Sequence, residues 1–255
     1  MNTSVKTKIN KLLLLMPPGV VMASAWLSKH GYSPELIRNY KESQWLEELA
    51  YGAVIRYNDQ VDYLGAIYTL QNQYELSVHP AAVTALGLLG RAHYLELNQQ
   101  YAYLFGYKNE VLPSWMKQMD WGISTTYVTS SFLPLDLGMT QISHKNFSLK
   151  VSSTVRAMME CLYLAPQRME LMECFELMQG LTDLIPHKVE ELLERCTSIK
   201  VKRLFLYLAE KSNHSWFKYL KLDHIDLGTG TRSLVKGGIY IPKYQITVPK
   251  EIEKK

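Results

Sequence analysis

The chain is predicted to be α+β, with an amino-terminal winged helix-turn-helix, a mixed α+β domain and a closing β-hairpin. Three observations support this. Residues 16–56 run helix, tight turn, helix, hairpin. The hydrophobic period then alternates between helical and extended up to about residue 151, and the stretch from Ser153 to Lys211 is almost continuously helical in pattern. At 255 residues the chain can bury one large core or two modest ones.

A first helix is expected over Ser4–Leu15, stopped by Pro17-Pro18. Val21–His30 reads as a second helix ended by Gly31, and Ser33-Pro34 restarts a third with an N-cap hydroxyl followed by proline at the first helical position. In that third helix Leu36, Ile37 and Tyr40 share one face, while Glu35, Arg38, Lys41 and Glu42 point away. Residues 45–49 and 53–56 then form two strands turning at Tyr51-Gly52. Helix, turn, helix and wing in about forty residues outline a fold whose second helix enters the DNA major groove. The same outline also suits a small helical subdomain that touches only protein.

Asn58-Asp59 marks a short polar break, which divides the chain into residues 1–60 and 61–255. Helices are expected over 62–73, which could belong to either domain, and 80–89, with a strand pair over 92–97 and 101–105 and short strands over 123–132 and 137–151. Four helices follow at 154–164, 168–180, 186–196 and 199–211, and a hairpin over 233–248 turning at Gly237-Gly238.

Net charge is only +4, but it is segregated: +2 over residues 1–60, −6 over 61–194 and +8 over 195–255. The last segment therefore suits a polyanionic or acidic partner, or a solvated basic face. Lys6, Lys8 and Lys11 before Leu12–Met16, with Ala23-Ser24-Ala25 beyond, have the outline of a signal peptide. Pro17-Pro18-Gly19 breaks the apolar run, and cleavage would cut the first unit, so a cytoplasmic protein without a membrane span is expected. Cys161, Cys174 and Cys196 are odd in number and lack CxxC spacing, which points to buried thiols rather than a disulfide or metal site.

Enzyme signals are sparse. HExxH, GxSxG and P-loop motifs are absent, and the three Ser-x-x-Lys strings are no more than chance supplies. Gly228-Thr229-Gly230-Thr231-Arg232 suits either a phosphate cradle or a glycine-rich turn. Neither a cofactor nor a metal is expected. The alternative to a DNA-binding protein is a nucleic-acid- or nucleotide-processing enzyme with a basic carboxyl-terminal phosphate site.

The ordered pieces Pro17–Val21, Ser24–Leu27, His30–Ser33, Gly65-Ala66, Tyr68–Gln71, Thr84–Gly87 and Gly90–Tyr94 resemble the AbiEi family of antitoxins. Leu104–Gly106, Val151–Ser153, Arg203–Leu206, Leu227-Gly228, Lys236–Gly238 and Lys243–Pro249 continue the resemblance over nearly the whole chain. It implies a cytoplasmic antitoxin of a type IV toxin–antitoxin (abortive infection) pair. Such a protein represses its own operon through promoter inverted repeats and counters a nucleotidyltransferase-like toxin.

The expected DNA-binding residues are Ser33, Arg38, Asn39, Lys41, Tyr51 and Arg56. Arg38 suits bidentate readout of guanine, Asn39 adenine and Lys41 phosphate. Glu35 suits either cytosine or the positive end of its helix. Lys200, Lys202, Arg203, Arg232 and Lys236 form the expected antitoxin surface, with Lys200 and Arg203 sharing an outward face. One small winged unit covers only a half-site, so the expected state is a monomer or weak dimer in solution and two copies on DNA.

Overall fold

The computed structural model describes residues 7–91 and 101–254. Along the chain come α1 (Lys8–Leu15), β1 (Met22–Ala23), α2 (Ser24–Lys29), α3 (Pro34–Glu42), β2 (Leu46–Ala50), β3 (Ala53–Arg56) and α4 (Tyr63–Asn72). Next are β4 (His79–Pro80), α5 (Ala82–Leu88), β5 (Tyr101–Tyr107), α6 (Ser114–Gln118), β6 (Ser124–Ser130), β7 (Met139–His144) and β8 (Phe147–Ser152). The rest is α7 (Thr154–Leu164), α8 (Leu171–Gln179), α9 (Pro186–Arg195), α10 (Ile199–Lys211), β9 (Arg232–Ser233), β10 (Ile239–Ile241), β11 (Ile246–Val248) and α11 (Lys250–Lys254). The fold is mixed α+β, as expected.

The chain forms two compact units. The first holds the described part of residues 1–79 with 109–124 and 141–150, and the second holds the remainder. In the first unit the order α1-β1-α2-α3-β2-β3, with an antiparallel sheet β1-β3-β2, is that of a winged helix-turn-helix. Part of the expected Val21–His30 helix is strand instead. Met22 and Ala23 pair with Val54 and Ala53, and the Ala23 N–H donates to Gln73 Oε1 at 2.8 Å. That ladder gives the extended backbone its hydrogen bonds, so the helix begins only at Ser24.

The first unit does not end at residue 60. The Thr69 hydroxyl of α4 donates to Val21 O at 2.5 Å, which ties α4 to the winged core. A Cβ on Gly65 would lie 1.9 Å from Gly19 O, so only glycine lets α4 approach that loop. Asp62 caps α4 by accepting from Gly65 N at 3.0 Å. Its other oxygen accepts from His144 Nε2 and Lys145 Nζ, both at 2.8 Å, which fixes the tip of the β7–β8 hairpin on the helix N-terminus.

In the second unit, α7, α8, α9 and α10 share one core with α5, β5 and the carboxyl-terminal sheet. Every residue of α10 from Val201 to Ala209 is buried. The closing sheet has the order β10-β11-β9, with β9 parallel to β11. Its hairpin turns at residues 242–245 and not at Gly237-Gly238. Gly238 serves a close approach instead, since a Cβ there would lie 2.2 Å from Val248 O. The expected strand at 92–97 falls outside the described residues.

Candidate nucleic-acid interface

Helix α3, the expected recognition helix, is built as its sequence dictates. Ser33 Oγ accepts from Leu36 N at 3.2 Å, and Pro34 occupies the first turn, where no N–H is needed. Ser33 is therefore an N-cap first, with its exposed edge next to the turn. Ile37 is buried and anchors the helix, Leu36 and Tyr40 are half-buried beside it, and Arg38, Asn39, Glu35 and Glu42 are exposed. The face opposite the core thus carries one guanidinium and one carboxamide, the two groups suited to guanine and adenine edges.

Lys41 Nζ lies 2.7 Å from Glu48 Oε2 of β2. The lysine expected at phosphate is instead tied to the wing. Tyr51, at the wing tip beside Gly52, is 90 % exposed and therefore has almost no packing role. Arg56 turns inward: its Nη2 donates to Leu13 O at 2.6 Å and to Met16 O, closing the carboxyl end of α1. Burial lowers its pKa, with Asp59 acting in the opposite direction. The structure thus turns Arg56, expected at DNA, toward the carboxyl end of α1, where its Nη2 already holds two carbonyls.

Sequence reasoning missed three features. The His30 ring stacks on Trp26 with centroids 3.7 Å apart, one helical turn away on α2. The spacing of four residues was readable as a same-face pair. Lys8 Nζ donates to Gly31 O at 3.2 Å and pins the turn between α2 and α3. Lys11 and Lys29 are exposed and make no ion pair among the described residues, and Arg38 shares that condition.

The carboxyl-terminal cations divide in two. Arg203 is 2 % exposed, and its guanidinium donates to Leu227, Gly228, Gly230 and Gln245 carbonyls and to Gln245 Oε1 at 2.6–3.3 Å. Lys202 donates to Asp226 O at 3.0 Å, and Lys200 to Tyr163 O and Ala165 O at 2.8 and 2.5 Å. Burial lowers the Lys200 pKa. The expected outward face of Lys200 and Arg203 is therefore wrong, since α10 is covered all round and its cations fasten loops to the core. The same contacts make Gly228–Gly230 a carbonyl cradle for Arg203. Arg232 and Lys236 are exposed. The three cysteines are buried and free, with the Cys161 and Cys174 thiols pushed well up by burial.

Two family models match the chain. Residues 5–97 match the amino-terminal domain of the AbiEi antitoxin transcriptional regulators, and residues 99–249 match the transcriptional regulator AbiEi antitoxin of type IV toxin–antitoxin systems. The chain belongs to the AbiEi antitoxin family. This AbiEi protein is accordingly one of a family of transcriptional regulators and not of enzymes. Among solved structures it is similar to the RV2827C protein of Mycobacterium tuberculosis, at 15 % identity and a TM-score of 0.58. The match covers 94 % of this chain and 89 % of that one, which is a likeness of fold. No curated protein matches its sequence. Among the described residues no helix is long and apolar enough to cross a membrane, and no group of three His, Cys, Asp or Glu side chains could hold a metal ion.

Proposed function

We propose that this AbiEi protein represses its own operon by binding promoter inverted repeats through α3, and counters a nucleotidyltransferase-like toxin through its second unit. The observation that carries the DNA reading is the presentation of Arg38 and Asn39. Both stand exposed on a capped, core-anchored helix within the α3-β2-β3 frame of a winged unit. Arg38 reads guanine, Asn39 reads adenine, and Tyr51 reaches the adjoining backbone from the wing. Lys11 and Lys29 add sequence-independent attraction to phosphate.

One winged unit reads a short half-site, so two copies occupy an inverted repeat while the protein is a monomer or weak dimer in solution. It acts in the cytoplasm, where its promoter lies. Repression belongs to the whole first unit, because α4 and the β7–β8 tip are fastened to it. The second unit carries the antitoxin activity, with Arg232 and Lys236 as the exposed remainder of its basic segment.

The experiment pairs two readouts in one cell: a reporter behind the chain's own promoter, and growth while the neighbouring toxin gene is induced. Wild-type protein is expected to silence the reporter and restore growth. Arg38→Ala is expected to release the reporter and still restore growth. A silent reporter with Arg38→Ala would remove the assignment of α3, and absence of rescue by wild type would remove the antitoxin role.

A further inference from the structure

The turn that leads into α3 is held by a closed set of hydrogen bonds. Gly31, at a φ of +84°, ends α2. Its N–H donates to Ser28 O at 3.2 Å and the Tyr32 N–H to Leu27 O at 3.0 Å, the paired bonds of a glycine-terminated helix. From α1, Lys8 Nζ donates to Gly31 O, and the Tyr32 hydroxyl donates back to Lys8 O, each at 3.2 Å. His30 is the last residue before that glycine, so its backbone is fixed by both helices.

Its ring is fixed as well. It stacks on Trp26 at 25° between planes, and Nδ1 lies 2.8 Å from Trp26 O. A carbonyl only accepts, so this contact assigns a proton to Nδ1. The residue is exposed, and Nε2 makes no hydrogen bond among the described residues. In the neutral ring Nε2 is therefore an acceptor, and in the protonated ring it is a donor. The ring keeps the same bond to Trp26 O in both states.

The ionisable groups around the ring favour an anion. Lys8 and Lys11 come from α1 and Lys29 from α2, all three exposed, and the Tyr32 phenol closes the turn. Against them stands Glu35 in the first turn of α3, with Arg38 one turn further on. In a helix-turn-helix the first helix crosses the DNA backbone and the second opens into the groove. His30 ends the first of these, α2, and Ser33 caps the second, α3.

We infer that His30 is a proton-dependent phosphate contact: docking on DNA draws a proton onto Nε2, which donates to a backbone phosphate beside the groove entered by α3. The inference rests on the DNA reading above. A phosphate oxygen only accepts, so it opposes the lone pair of the neutral ring and pairs with the N–H of the charged one. DNA and the proton therefore bind with mutual reinforcement, and promoter affinity rises as pH falls. Lysine contacts stay charged over the same range and add no such dependence.

The test is fluorescence anisotropy of the full chain on its promoter duplex between about pH 6 and pH 8, with a salt series at each pH. Wild-type affinity is expected to be about fivefold higher at the lower pH. Its slope of log K against log salt is expected to be steeper there by roughly one unit per bound copy. His30→Phe keeps a ring against Trp26 and is expected to bind throughout like wild type at the upper pH. His30→Lys is charged throughout and is expected to bind at both limits like wild type at the lower pH. Thermal melting checks that each variant is folded, and His30→Lys decides the matter should His30→Phe misfold. A wild-type affinity that does not change with pH, or a change that persists in full in a folded variant, overturns the inference. Preference of wild type for the promoter duplex over a shuffled one then leaves the α3 reading standing, and its absence removes both.

Discussion

Lys41 Nζ and Glu48 Oε2, 2.7 Å apart, couple α3 to the wing strand β2. The lysine side chain is one-third exposed and the glutamate about half, so the pair adds little stability and is screened by salt. Its greater effect is on charge. With Lys41 neutralised and Glu35 and Glu42 exposed, Arg38 is the uncommitted cation of α3. Glu48→Gln is expected to free Lys41 for phosphate and to steepen the salt dependence of promoter binding by roughly one unit of log K against log salt. Fluorescence anisotropy across a salt series checks this, and an unchanged slope would show that Lys41 does not reach the backbone.

Arg56 tests the distinction between a DNA contact and a helix cap. Arg56→Ala removes the donors to Leu13 O and Met16 O and is expected to destabilise the first unit by about 1–3 kcal/mol. Chemical denaturation measures it. A variant of wild-type stability with weakened promoter binding would return Arg56 to the interface.

Arg203 and Arg232 make a matched pair of substitutions. Arg203→Met leaves the carbonyls of Leu227, Gly228 and Gly230 without their donor and is expected to cost about 3 kcal/mol or more. Arg232→Met, at an exposed strand position, is expected to leave Tm within about half a kcal/mol equivalent. Equal melting temperatures for the two would contradict the buried role of α10.

The acid limb of stability has a specific contributor in Asp62. Burial pushes its carboxyl up, but Lys145, His144 and the Gly65 N–H outweigh that and hold it below the usual carboxylate value. A depressed folded pKa gives stability that is complete above the unfolded value of about 4 and is lost as pH falls through the lower folded value. Asp62→Asn is expected to flatten thermal stability against pH below about 4 relative to wild type. Parallel curves would mean that the carboxylate contributes nothing there.

The winged unit was legible because its signals are local. The Ser33-Pro34 cap, the apolar face of Leu36, Ile37 and Tyr40, and the Tyr51-Gly52 turn each act within a few residues. The domain break at Asn58-Asp59 was less legible because α4 is held by Thr69 and Gln73 through contacts about fifty residues apart. The helical wheel of α10 gave Lys200 and Arg203 an outward face only on the assumption that one side met water. The 227–230 loop and Gln245 cover Arg203, the carbonyls of Tyr163 and Ala165 hold Lys200, and side-chain donors can satisfy carbonyls in a way that no periodicity reports. Gly237-Gly238 was a stronger local turn signal than residues 242–245, yet the close approach of Val248 O explains the glycine at 238.

Sequence-specific promoter recognition through α3 is tested by comparing Arg38→Ala with wild type on two duplexes by anisotropy at one fixed salt concentration. One duplex carries the inverted repeats of the chain's own promoter, and the other is a shuffled sequence of equal length. Arg38→Ala is expected to lose about 1–3 kcal/mol on the promoter duplex and much less on the shuffled one, so that discrimination falls. Equal affinity of variant and wild type for the promoter duplex, or equal affinity of wild type for both duplexes, would contradict it.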